Sequence, residues 1–213
     1  MTGTARPPRR STYRHGDLRN ALLAAGVDLA RAGGPAAVVL RETTRRAGVA
    51  PNAAYRHFAD RKALLQAVSA AAMAQLAIAM EAELANLPET TSAETAHARL
   101  RSVGVGYLRF AQAEPGLFRA AFSVPDDLHG AASADSAGRS GKTPFQLLGI
   151  ALDELVATGV LPAAKRQGAE FLAWSSVHGL AMLLIDGPLR ELEPAQRRVV
   201  EAQLLDMVDL GLR

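Results

Sequence analysis

At 213 residues and 49% hydrophobic content, the chain has enough apolar material for a buried core, in one large domain or two modest ones, which excludes wholesale disorder. It has no cysteine, so disulfides, thiolate catalysis and cysteine-ligated zinc are unavailable. The net charge of +3 conceals an asymmetry: residues 1–66 hold 12 Lys+Arg against 4 Asp+Glu (+8), and residues 67–213 hold 12 against 17 (−5), as expected when one end of a protein meets a polyanion.

The chain begins with a basic arm, residues 1–13, carrying Arg6, Pro7, Pro8, Arg9 and Arg10. It reads either as a disordered terminus or as a segment that follows the minor groove or backbone of a nucleic acid. It lacks the apolar stretch of a secretory signal. Leu18, Ala21, Leu22, Ala25 and Leu29 then form one apolar helical stripe, from near Asp17 to the Gly33-Gly34-Pro35 break.

Leu40–Ala47 predicts a short helix, and Gly48-Val49-Ala50 a three-residue turn with glycine where the chain reverses. Pro51 suits the first position of a second short helix, whose end falls near Phe58. This helix presents Asn52, Ala53, Tyr55, Arg56 and His57, and Asp60 caps a third helix with Arg61 and Lys62 in its first turn. Two cations at the positive end of a helix are locally unfavourable, and an anionic partner such as a DNA phosphate would offset them. The pattern is a DNA-binding helix-turn-helix. Since the helix N-terminus enters the groove, Asn52, Ala53 and Arg56 are the candidates for base-edge or thymine-methyl contact, with Arg56 alternatively a backbone clamp. Arg41 and Thr43, near the start of the preceding helix, are candidate phosphate contacts; Phe58 and Leu64 are core.

The order Arg41-Glu42, Ala47-Gly48-Val49, Tyr55-Arg56-His57-Phe58 and Lys62-Ala63-Leu64-Leu65 closely resembles the N-terminal domain of TetR-type bacterial transcriptional regulators, over about Tyr13 to Val68. Residues 14–62 are thereby expected to form the DNA-binding domain and 63–213 a helical effector-binding and dimerisation domain. The resemblance implies phosphate contacts from the Tyr55 hydroxyl and from His57. On the residues alone, Tyr55 could instead pack against the first helix and His57 could cap a helix end. Ala50, grouped with Pro51 at the DNA-facing turn, departs from the pattern. The family usually has Ser or another polar residue there, which caps the recognition helix and touches phosphate.

Beyond Lys62 the reading is all-α. A long helix runs through Leu65, Val68, Ala72 and Leu76 to about Leu84, and Pro88 ends the region. A further helix spans about Ala93–Ala113, and a short one opens at Pro115. Residues 125–143, rich in Gly, Ala, Ser and Asp, read as a mobile surface loop. The loop ends Gly138-Arg139-Ser140-Gly141-Lys142-Thr143, like a phosphate-binding loop, but position 136 is Ser where glycine is required and no strand precedes it. Asp126, Asp127, His129 and Asp135 lack metal-ligand spacing. Helices at about Phe145–Thr158, Arg166–Ile185 and Pro194–Leu212 complete the chain.

Trp174 and His178 share a helix face, with Gly179 beside them; together they resemble the Trp-His-Gly signature of a C-terminal domain subclass in this family. Tyr107, Phe110, Phe118, Phe122, Phe145, Trp174, His178 and Met182 are candidates to line an effector cavity, each otherwise simple core. In the family the last two long helices usually pair with their copies in a four-helix dimer interface. The candidates here are Val177, Ala181, Ile185, Val200, Leu204 and Val208.

The expected function is a ligand-responsive regulator, most simply a repressor that binds a palindromic operator as a homodimer and is released by a small, largely apolar effector. The alternative is a constitutive DNA-binding regulator with a purely dimerising C-terminal domain. Neither a His-Glu-x-x-His nor a Gly-x-Ser-x-Gly pattern occurs and the five histidines are scattered, so no enzyme, cofactor or metal is expected. No run of about 18 uncharged apolar residues is read as a membrane span, and a soluble cytoplasmic protein is expected.

Overall fold

The computed structural model describes residues 15–124 and 133–212, so the basic arm, Tyr13, Asp126, Asp127 and His129 lie outside the described residues. Among those described there are nine α-helices and no strand: α1 His15–Gly33, α2 Leu40–Arg46, α3 Pro51–Ala54, α4 Arg61–Leu84, α5 Ala93–Ala113, α6 Pro115–Ala121, α7 Pro144–Ala157, α8 Ala169–Ile185 and α9 Pro194–Leu212. The fold is all-α.

Local chemistry sets the helix ends. Asp60 Oδ1 accepts from the Ala63 N–H at 2.7 Å and caps α4. Ser92 and Thr95 form a reciprocal capping box at α5, as do Thr143 and Gln146 at α7. The expected start at Arg166 is displaced: Ala163–Lys165 forms a 3-10 turn, Gly168 adopts φ 78°, and α8 begins at Ala169. Arg166 is instead a tie between helices, bonding Asp153 of α7 and Glu170 of α8 at 2.7 Å each.

α4 is the axis of the molecule, packing on α1, α5, α6 and α7. Leu64, Val68, Leu76 and Met80 are at most 1% exposed, and each contributes roughly 1.5–3 kcal/mol by leaving water. The stretch 63–80 carries no charge, and although no membrane span is expected from the sequence, the helix is long and apolar enough by length and composition to cross a membrane. Leu64, Leu65, Val68, Ala72, Leu76, Ala77 and Met80 of this helix are buried in the core, which is how the core helix of a folded domain meets the same test.

α6 joins the two halves of the chain. A Cβ at position 116 would lie 2.4 Å from the Ala30 carbonyl oxygen and 2.5 Å from that of Arg31, so only glycine lets α6 seat on the end of α1. Arg31 closes the contact, donating from Nε to Glu114 at 3.0 Å while Nη1 bonds Asp28. At its other end α6 is tied to Asp186, just past α8, by a bidentate bond from Arg119.

The described part of the central loop is not the featureless mobile segment expected from composition. Its phosphate-loop-like turn is occupied by a carboxylate of the protein itself. Glu81 of α4 accepts from the Arg139 N–H at 2.9 Å, the Ser140 N–H at 3.0 Å and the Ser140 hydroxyl at 2.6 Å. A Cβ at Gly138 would meet Glu81 Oε1 at 2.4 Å. Backbone donors that resemble an anion cradle in sequence are thus spent on fixing the loop to α4.

Candidate nucleic-acid interface and ligand cavity

The head is built on a tight α2–α3 turn. Gly48 takes φ 67°, allowing the Val49 N–H to reach the Thr44 carbonyl at 3.0 Å and the Gly48 N–H that of Arg45, which together close α2 as a Schellman turn. α3 is shorter than expected, one α-turn from Pro51 to Ala54 extended by a turn through His57, with the His57 and Phe58 N–H groups both on the Ala54 carbonyl. Ala50 sits at the N-cap with no side-chain bond, consistent with its lack of a polar group. Ala54 and Phe58 anchor this element in the core, and Arg19 of α1 lies 5.4 Å over the Phe58 ring.

The buried anchors leave an outward tip. Pro51, Asn52 and Arg56 are exposed, Ala53 and His57 partly so, and Tyr55 is 57% exposed rather than packed on α1. Arg41 and Lys62 are exposed as well. Two expected phosphate contacts need correction. Thr43 is fully buried and its hydroxyl donates to the Val39 carbonyl at 2.9 Å, because its position on α2 turns it into the core. Arg61 folds back along the α1–α2 connection: Nε donates to the Val38 carbonyl and Nη2 to that of Pro35, both at 2.8 Å. A guanidinium fork matches two adjacent carbonyls as readily as a phosphate, and here it braces the head. On α2, Glu42 pairs with Arg45 at 2.6 Å and Arg46 at 3.4 Å. The Arg45 hydrogen bond above all holds the Glu42 carboxyl down at about 2.

The C-terminal half contains a cavity of about 90 Å³ between α4, α5, α7, α8 and α9. Of the expected lining residues, Tyr107, Phe122, Phe145 and Trp174 line it, joined by Met73, Leu76, Met80, Leu148 and Leu205. Phe110 and Phe118 do not: Phe118 is fully buried beneath, edge-on to Tyr107 at 5.4 Å and stacked on His178 at 5.6 Å. Nor do His178 and Met182 reach the cavity; Met182 packs against the core.

His178 acts through Tyr107. Trp174 Nε1 donates to the Tyr107 hydroxyl at 3.2 Å, and that hydroxyl lies 2.8 Å from His178 Nδ1. Tyr107 accepts from Trp174, and its hydroxyl and the Nδ1 of a neutral His178 share one proton, the donor being set by the imidazole tautomer. Burial agrees with the neutral forms, pushing the Tyr107 hydroxyl pKa up and the His178 imidazole pKa below its ordinary value. This Trp174–Tyr107–His178 chain gives the cavity an uncharged polar edge at Tyr107 and Trp174.

Several expected dimer residues face inward. Val177 and Ala181 are buried, Val177 and Val208 line the cavity, and Ile185, Val200 and Leu204 pack against their own core. The exposed apolar stripes lie one step around each helix, at Leu172 and Leu183 on α8 and at Val199, Met207 and Leu210 on α9, between 43% and 64% exposed. Leu172 and Leu183 are three turns apart and share a face, a spacing readable in sequence. With apolar residues on several faces, periodicity alone could not say which face turned inward.

The family profile described as "Bacterial regulatory proteins, tetR family" matches residues 22–68, and that described as "Tetracyclin repressor-like, C-terminal domain" matches residues 100–207. No curated protein matches. Among solved structures, a protein of unknown function from Rhodococcus sp. RHA1 aligns with TM-score 0.72 at 26% identity, covering 95% of this chain and 99% of its own. The TetR family transcriptional regulator PfmR from Thermus thermophilus aligns with TM-score 0.58 at 20% identity, over 90% and 98%. A TetR variant from Acinetobacter baumannii AYE in complex with minocycline aligns with TM-score 0.60 at 17% identity, over 90% and 94%. With both profiles matched in order and the helix-turn-helix in place, the chain belongs to the TetR family of bacterial regulatory proteins.

Proposed function

We propose that this chain is a homodimeric repressor that binds a palindromic operator and is released by a small, largely apolar effector held in the C-terminal cavity. The observation that carries the reading is α4. One unbroken helix is capped at Asp60 in the head, and three of its side chains, Met73, Leu76 and Met80, line the cavity. A ligand that prefers one packing of those side chains biases the direction in which α4 leaves the head, and so the spacing of two heads. A boundary at 62/63 falls in the first turn of this helix, so the two units share a rigid element. In the alternative, constitutive reading the C-terminal half has no use for a cavity; the lining described above favours a sensor. The minocycline complex of the Acinetobacter relative is consistent with that choice.

Within this proposal Asn52, Ala53 and Arg56 meet base edges, and Arg41, Ala50, Pro51, Tyr55, His57 and Lys62 lie against the backbone. The exposed stripes of α8 and α9 pair across a two-fold axis. Geometry supports a dimer, since a single-turn recognition helix reads only a few base pairs and two symmetric copies read two half-sites. The test is selection of bound genomic fragments by the purified protein, with sedimentation to read its mass. Recovered sites should be palindromic, bound by a dimer and salt-sensitive. Leu183→Asp should give monomers that lose the operator. A monomeric wild-type protein, or recovery of no double-stranded fragment, refutes the proposal.

A further inference from the structure

We infer that the effector is an apolar molecule bearing a carboxylate, and that Arg101 binds this group by exchanging Asp206 for it; the inference rests on the cavity being the effector site. Among the described lining residues only Arg101 of α5 and Asp209 of α9 carry charge. They differ in how firmly each is already held. Asp209 bonds His97 Nδ1 at 2.7 Å, and both side chains are sheltered, 23% and 28% exposed. Arg101 pairs with Asp206 through one Nη1–H, its sole partner among the described residues, and that pair is 43% and 61% exposed.

An ion pair so open to water contributes about 0–1 kcal/mol, so giving up Asp206 is nearly neutral. A carboxylate brought in by an apolar body would meet the planar guanidinium bidentately at the cavity wall, with two parallel bonds in place of the single Nη1–H bond to Asp206. An ammonium would have to displace the better-sheltered His97 from Asp209. A neutral polar group finds little else, because the Tyr107 hydroxyl is already engaged by both Trp174 and His178. The exchange has a mechanical consequence: Asp206 lies on α9 beside Met207, so releasing it removes a tie between α5 and the exposed face of α9.

Trp174 is the chain's one tryptophan and lines the cavity, so its fluorescence reports occupancy in the full-length protein. Near neutral pH the protein is titrated with three compounds sharing one body: hydrocinnamate, 3-phenylpropan-1-ol and 3-phenylpropylamine. The acid is expected to bind about tenfold more tightly than the alcohol, the size of a charge-assisted bond made partly in solvent. Arg101→Gln should abolish that advantage and leave the alcohol's affinity unchanged. Asp206→Asn, which removes the competitor, should strengthen the acid alone by a few-fold. Equal affinity for acid and alcohol, tightest binding of the amine, loss of all three in Arg101→Gln, or no response to any of them overturns the inference. Operator release is measured separately: a protein that binds the acid yet keeps its DNA refutes effector release, while the assignment of Arg101 stands.

Discussion

Arg61 offers the sharpest test of how the head is held. From sequence it reads as a phosphate contact; in the fold its guanidinium bridges the Val38 and Pro35 carbonyls at 2.8 Å each. Arg61→Ala removes two charge-assisted hydrogen bonds. Each is worth about 1.5–3 kcal/mol when sheltered, and discounting for the exposure of Arg61 leaves about 1–2 kcal/mol in all. At about 2–4 °C per kcal/mol for a chain of this size, the melting temperature should fall by roughly 2–8 °C. A lost phosphate contact has a different signature, lowering the slope of log affinity against log salt by about 0.9 per contact, or about 1.8 for two heads. Arg61→Ala should therefore lower the melting temperature and leave the salt slope unchanged. Arg61→Lys, which keeps the charge but cannot fork two carbonyls, should behave like Arg61→Ala. Lys62→Ala, at an exposed neighbour, should do the reverse. Calorimetry and a salt series on one operator fragment decide it. An unchanged melting temperature with a reduced salt slope in Arg61→Ala would show that the clamp is not the residue's main role.

Other substitutions probe the reading surface, the joint between the halves and the cavity wall. Arg56→Ala or Asn52→Ala should cost about 1–3 kcal/mol at one base position and relax preference there, whereas Tyr55→Phe should weaken every sequence alike; equal affinity of Arg56→Ala and wild type across all operator variants rules out base reading by Arg56. Gly116→Ala places a methyl 2.4 Å from the Ala30 carbonyl oxygen, so despite the better helix propensity of alanine it should destabilise by about 1–3 kcal/mol, and an unchanged melting temperature would contradict the close seating of α6. His178 has its folded pKa depressed by burial below 6.5, so the unfolded chain takes up a proton first on acidification. Its stabilisation is complete above about pH 6.5 and is lost as pH falls through that value toward the folded pKa; replacing it by Gln should flatten the melting temperature over the same interval, and an unaltered profile would remove His178 from the account.

Much of this protein is legible before folding because the signals are local. Gly48, Pro51 and Asp60 punctuate the helix-turn-helix through backbone geometry and capping, which depend on a few adjacent residues, and the charge asymmetry is a property of composition. Helix existence and order follow from apolar periodicity in the same way. What the residues could not decide is which way a side chain faces once several faces of a helix are apolar, and which partner takes a charge. α8 and α9 carry apolar residues on more than one side, so Val177 and Ala181 proved interior while Leu172 and Leu183 stayed exposed. Arg61 and the 139–140 amides both look made for an anion, yet one is taken by carbonyls 23 and 26 residues away and the others by Glu81, 58 and 59 residues away. Such contacts are set by tertiary packing, and no local pattern in the chain encodes the distance they close.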